Sequence, residues 1–128
     1  MLSILLASAF FIEQPCFATR VEAIAYPRLA LFARLPGQIA VQIEINNEGI
    51  PIKLKPISGH ELLLKAALPI LEKWRFHEGC KKPLGTIEIV GHFRFSSETS
   101  NSPKETFVFE HPNRFTVTSD MIGIQGAH

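Results

Sequence analysis

With 128 residues, 46% of them hydrophobic and 20% charged, the chain has the composition of one small globular domain with extras, not of a disordered segment. A formal net charge of +1, with no basic run longer than Lys81-Lys82, leaves no electrostatic footprint for nucleic acid. Two cysteines, Cys16 and Cys80, are too few for a disulfide framework.

The chain begins MLSILLASAFFIEQPCFATR, an apolar run from Met1 to Ile12 ended by Glu13. In Cys16-Phe17-Ala18, small residues stand at the two places a signal peptidase inspects. Residues 1–18 therefore read as a secretory signal cut after Ala18 or as a short N-terminal anchor, with a buried N-terminal element as the alternative. The run is short for a spanning helix, which takes ~20 apolar residues. A cut after Ala18 would leave Cys80 as an unpaired thiol within the chain.

Tyr26-Pro27 fixes φ at the entry to residues 28–35, where Leu29, Leu31, Phe32 and Leu35 suggest a brief helix stopped by Pro36-Gly37. In GQIAVQIEIN, Ile39, Val41, Ile43 and Ile45 alternate with Ala40, Gln42, Glu44 and Asn46, the period of a strand. Asn46-Asn47-Glu48-Gly49 is a turn in which Gly49 is free to take positive φ. A second strand, residues 50–57, completes a hairpin over 38–57. Pro51 and Pro56 cannot donate to a ladder, which places that strand at a sheet edge.

Residues 58–76, SGHELLLKAALPILEKWRF, read as the main helix. Ser58 is a good N-cap, and Glu61 three residues later completes a capping box. Leu62, Ala66, Ile70 and Trp74 recur every four residues beside Leu63, Ala67 and Leu71, one apolar stripe of helical period. Pro69 inside the pattern predicts a kinked or two-piece helix. After a polar loop at 77–83, GTIEIVGHFRF alternates again and supplies a third strand, with Ile87, Ile89, Gly91, Phe93 and Phe95 on one face. The fold class is α+β: a small antiparallel three-stranded sheet in the order α-β-β-α-β, packed against helices on one face. Residues 96–104 read as a hydrophilic linker. Beyond it, residues 106–110 and 114–118 flank His111-Pro112-Asn113 as a C-terminal β-hairpin extension, and 119–128 read as a loose tail. The divisions are thus 1–18, 19–96 and 97–128.

In order, the chain shows Tyr26-Pro27, Gly37-Gln38-Ile39-Ala40-Val41, and Asn47-Glu48-Gly49 between two strands. Ser58-Gly59-His60, a Leu-rich helix with Ala66-Ala67, and Trp74-Arg75-Phe76 before a final strand follow. This series, across residues 26–95, resembles the C-terminal domain of TonB (the TonB/TolA C-terminal fold), a periplasmic energy-transducer family. The Pro112-Asn113-Arg114 hairpin resembles an extension of some short secreted members. The resemblance implies a protein-binding module of the periplasm or cell envelope, linked to TonB-dependent transmembrane transport, without catalysis or cofactor. Its partner would be an outer-membrane receptor, gripped by adding a short receptor segment to the sheet. By that resemblance the third strand carries the docking edge, at Ile87, Ile89, Gly91, Phe93 and Phe95. Tyr26, Pro27, Gly37, Gly49, Ser58, Glu61, Trp74 and Phe76 would hold the fold. Three departures argue against contact with an inner-membrane motor or allow self-occupation: no long hydrophobic anchor, no extended Pro/Lys/Glu-rich spacer, and a hairpin able to fill the sheet edge itself.

Other chemistry is weaker. His77-Glu78-Gly79-Cys80 has two metal-ligand types but needs more ligands, from His60 or His92. Cys80 as a nucleophile needs a positioned base, and only His77 is near in sequence. These residues define the rival reading of a small secreted Cys/His enzyme. Cys80 also offers a disulfide between two copies, a homodimer. His60-Glu61 resembles half of a metalloprotease helix, but position 64 is Leu. A third reading is a self-contained cell-envelope structural or assembly protein, its sheet edge covered by its own tail.

Overall fold

The computed structural model describes residues 16–77 and 85–123. The leader up to residue 15, most of the polar loop with Glu78 and Cys80, and the tail from residue 124 lie outside the described residues. Alternation in β2, which follows a short β1 (Ala18–Arg20), behaves as expected. β2 is Gly37–Ile45, and it buries Ile39, Val41, Ile43 and Ile45. The Asn46 carboxamide oxygen accepts from the amides of Glu48 and Ile50, and Gly49 takes φ +80° to complete the reversal into β3 (Pro51–Ser58). A Cβ on Gly49 would strike the Phe76 carbonyl, while the Phe76 N–H donates to the Gly49 carbonyl. β3 is an edge strand, as Pro51 and Pro56 require. Its register slips at Ile45↔Pro51, and Ile52 is left more than half exposed.

The first helix, α1, is Arg28–Phe32, shorter than the 28–35 expected. Arg34 takes φ +52°, and the Tyr26 hydroxyl donates to the Leu35 carbonyl at 2.6 Å. The Tyr26 ring stacks on Phe95 at 4.9 Å and meets Phe93 edge-on at 5.4 Å. Burial pushes the Tyr26 phenol up from 10.0 to about 12. The fold therefore favours the neutral phenol, so this contribution is complete below pH 10 and is lost as pH rises towards 12. Denaturation midpoints followed through that range should fall with pH, and Tyr26→Phe should flatten the fall. An equally steep fall in the variant would assign it to other groups.

The main helix, α2, is Glu61–Leu71. Its cap is not Ser58 but His60, whose Nδ1 accepts from the Leu62 N–H at 3.0 Å. Ser58 still belongs to β3, and Gly59 at φ +124° turns the chain between them, so the expected Ser58–Glu61 capping box does not form. Glu61 pairs instead with Lys65 across an exposed turn at 3.5 Å, worth little in water. The helix is one segment, with Pro69 in its last turn and its end at Leu71. Leu63, Ala67 and Leu71 are buried, whereas Leu62, Ala66 and Ile70 are only half-buried. Trp74 lies past the helix. Arg75–Phe76 forms β4, a short ladder with β1.

The expected three-stranded antiparallel sheet is instead a mixed five-stranded one, in the order β3-β2-β5-β7-β6. β5 spans Thr86–Ser100, β6 Glu105–Glu110 and β7 Arg114–Ile122. The C-terminal hairpin is part of the sheet. An isolated two-stranded hairpin is marginal in water, and its Phe115 and Val117 face reaches burial only beside β5. Residues 96–100, expected as linker, extend β5, and 119–122, expected as tail, complete β7. The Lys104 amide and the Ser96 hydroxyl both donate to the Asp120 carboxylate, holding its pKa below the usual range and tying the hairpin's open end. The core lies between one face of this sheet and α1, α2 and the segment around Ile24 and Tyr26.

Candidate functional site

Strand alternation decides what β5 can offer. Ile87, Ile89, Gly91 and Phe93 are buried on the core face, and Phe95 is half-buried there beside Tyr26. Phe93 meets Phe115 edge-on at 5.9 Å, and that same Phe115 ring lies so close over Gly91 that a Cβ would fall against it. These side chains build the core. What remains for strand addition is the main chain of the residues between them.

The N–H and C=O groups of the odd-numbered residues pair with β2, from Gly37↔Phe93 onward. Those of the even-numbered residues point the other way, and that side is taken. The Val90 N–H donates to the Asn113 carbonyl at 3.0 Å, and the Asn113 side-chain amide donates to the Glu88 carbonyl at 2.8 Å. β7 then runs parallel to β5 from Val90↔Arg114 to Phe95↔Ser119. The border assigned to a partner from sequence is interior here, filled by the chain's own hairpin.

Of the residues expected to hold the fold, Trp74 is the most central. Its indole is fully buried, its Nε1 donates to the Glu22 carbonyl at 2.9 Å, and its ring meets Phe109 and Phe115 edge-on. Tyr26, Gly49 and Phe76 join it through the contacts above. Pro27 precedes α1, and Gly37 opens β2 with the Leu63 side chain against it. Ser58 and Glu61 are exposed.

Sequence reasoning missed the role of residues 16–18. Cys16 is disulfide-bonded, and the chain's one other cysteine is Cys80. Phe17 stacks on His77 at 4.7 Å and tilts against His111 at 5.1 Å, while its carbonyl accepts from the His77 N–H. Ala18 is buried in β1. A cut after Ala18 would sever these links. The signal available in sequence was the even cysteine count in a chain read as exported. Among the described residues no three His, Cys, Asp or Glu side chains gather as a metal site. His60 is the helix cap, and His92 lies exposed on the sheet face away from the core.

A family model described as the Gram-negative bacterial TonB protein C-terminal matches residues 22–97, more than half the chain. The chain belongs to the TonB C-terminal family. No curated protein matches it. TonB C-terminal domains are non-enzymatic protein-interaction modules of the periplasm and cell envelope that serve energy transduction and meet proteins such as outer-membrane receptors. The TonB match ends inside β5, so β6 and β7, which fill its border, lie beyond the family domain.

Proposed function

We propose that this protein is a periplasmic TonB-like binding domain, linked to TonB-dependent transport, which takes an extended segment of an outer-membrane receptor by strand addition. Its C-terminal hairpin is the resident competitor for the border of β5. The parallel β5–β7 ladder supports this reading: β7 comes from outside the family-matched region and covers the border of β5, the strand bearing Ile87, Ile89, Gly91, Phe93 and Phe95. A partner strand there would replace the ladder from Val90 to Phe95 and keep the β2 side intact. Export by the leader belongs to the same reading. Because Cys16, Phe17 and Ala18 are tied into the domain, the cut falls ahead of Cys16, and the mass of the mature chain tests this.

The burial of Phe115 and Val117 favours a second reading, a self-contained assembly protein whose border never opens. Capture from envelope extract with the full chain as bait, combined with amide exchange, separates the two. The first reading expects recovery of outer-membrane receptors and faster exchange in β6 and β7 when a receptor segment binds. No receptor recovered, with residues 114–119 exchanging only on global unfolding, would favour the second.

A further inference from the structure

The two borders of the sheet are built differently. β3 carries Pro51, Lys53, Lys55 and Pro56, the devices that keep an edge from pairing. β6, with the sequence ETFVFE, has neither proline nor lysine. Its polarity follows from its neighbour. The Asp120 N–H donates to the Lys104 carbonyl, and pairs run from Glu105↔Ser119 to Glu110↔Arg114. By antiparallel alternation, Thr106, Val108 and Glu110 turn their main-chain groups to β7, and Glu105, Phe107 and Phe109 turn theirs outward. The far side of β7 agrees, since Asn113 bonds Val90 and thereby points the alternate residues at β5. Among the described residues, no backbone hydrogen bond outside the strand ladders reaches the outward groups of Glu105, Phe107 or Phe109.

We infer that the occupant of this edge is a second copy of the chain, its β6 lying antiparallel across a two-fold axis and joining the two sheets. A register centred on Phe107 sets Phe107 opposite its copy and Glu105 opposite Phe109, so every outward residue of the strand exchanges hydrogen bonds. Centring on Thr106 would oppose Phe109 to Pro103, which has no N–H, and centring on Val108 would oppose Glu105 to His111 in the turn. Charge selects the same register. On the exposed face it brings Lys104 of each copy against Glu110 of the other, with Thr106 beside Val108, a residue 51% exposed in the single chain. A foreign strand would not be matched by both ion pairs.

Sedimentation of the full chain over a concentration series tests this. The expected result is a concentration-dependent dimer, weakened about tenfold or more by Lys104→Glu or by Glu110→Lys and restored when both are made together. Both side chains are exposed, and a thermal melt at low concentration verifies folding of each variant. A wild-type chain monomeric up to ~1 mM overturns the inference, as does a dimer indifferent to both single changes. A monomer whose β6 amides shift on adding an extended foreign peptide also overturns it, giving the edge to a different occupant.

Discussion

Replacing Trp74 with alanine should destabilise the domain by about 3–5 kcal/mol, the range for deleting a buried aromatic side chain. That is a large share of the stability a domain of this size commands. The indole is fully buried just past the end of α2, and its edge contacts reach Phe109 in β6 and Phe115 in β7. Its Nε1 also satisfies the Glu22 carbonyl, which would lose that partner on truncation. One side chain thus joins the helix end, the segment before Tyr26 and the C-terminal hairpin. Urea denaturation measures the effect through the midpoint. A midpoint equal to wild type would show that the core does not depend on this ring. Trp74→Phe keeps most of the apolar surface and loses the hydrogen bond, so its effect should be smaller.

The second large effect is expected at Gly91, and it is local. A methyl group there would meet the Phe115 ring, with the Cε1 atom 2.7 Å away and other ring atoms nearer. Phe115 is buried, and its ring also stacks on Phe107 at 5.6 Å, so it has no free space to turn into. Gly91→Ala should lower stability by about 1–3 kcal/mol through overpacking. The diagnostic outcome is directional. Amides of Val90, His92 and Arg94, which face β7, should exchange faster, while those of Ile89, Gly91 and Phe93, which face β2, stay protected. Under the proposed function the same variant should capture more receptor, because its resident competitor is loosened. Equal loss of protection on both sides of β5 would show that the hairpin is not a separable unit.

Local pattern carried some of this architecture and not the rest, for reasons visible in individual residues. The alternation from Ile39 to Ile45 and the prolines of β3 state their own burial and edge position, because period and missing donors are properties of the segment itself. Trp74 is buried as expected, yet not as the end of a helical stripe: the helix stops at Leu71, and Glu22, Phe109 and Phe115 enclose the indole. The helix start went wrong because Ser58 and His60 are both competent caps, and the choice was made by Gly59, whose turn lies flush against Ile39. In the hairpin Phe107, Phe109, Phe115 and Val117 alternate, yet alternation says only that one face is buried. It does not name the neighbour, and a parallel ladder between β5 and β7 leaves no local mark. The state of the candidate border is hidden on the same ground: the chemistry of β5 as a docking strand is legible from residues 87–95, while its occupancy depends on residues 114–119. The tie at Cys16 went unread because the leader was expected to end at Ala18.

The order of the last two strands has a consequence for how the molecule is completed. β7 is the last of the described strands in the chain but sits between β5 and β6. Before residues 114–122 arrive, β6 has no strand to pair with and the even-numbered border of β5 is bare. A premature stop after Glu110 would therefore not trim the sheet at its rim. It would unseat β6 as well, since β7 is the strand that β6 pairs with, and leave the even-numbered amides and carbonyls of β5 bare along a new rim.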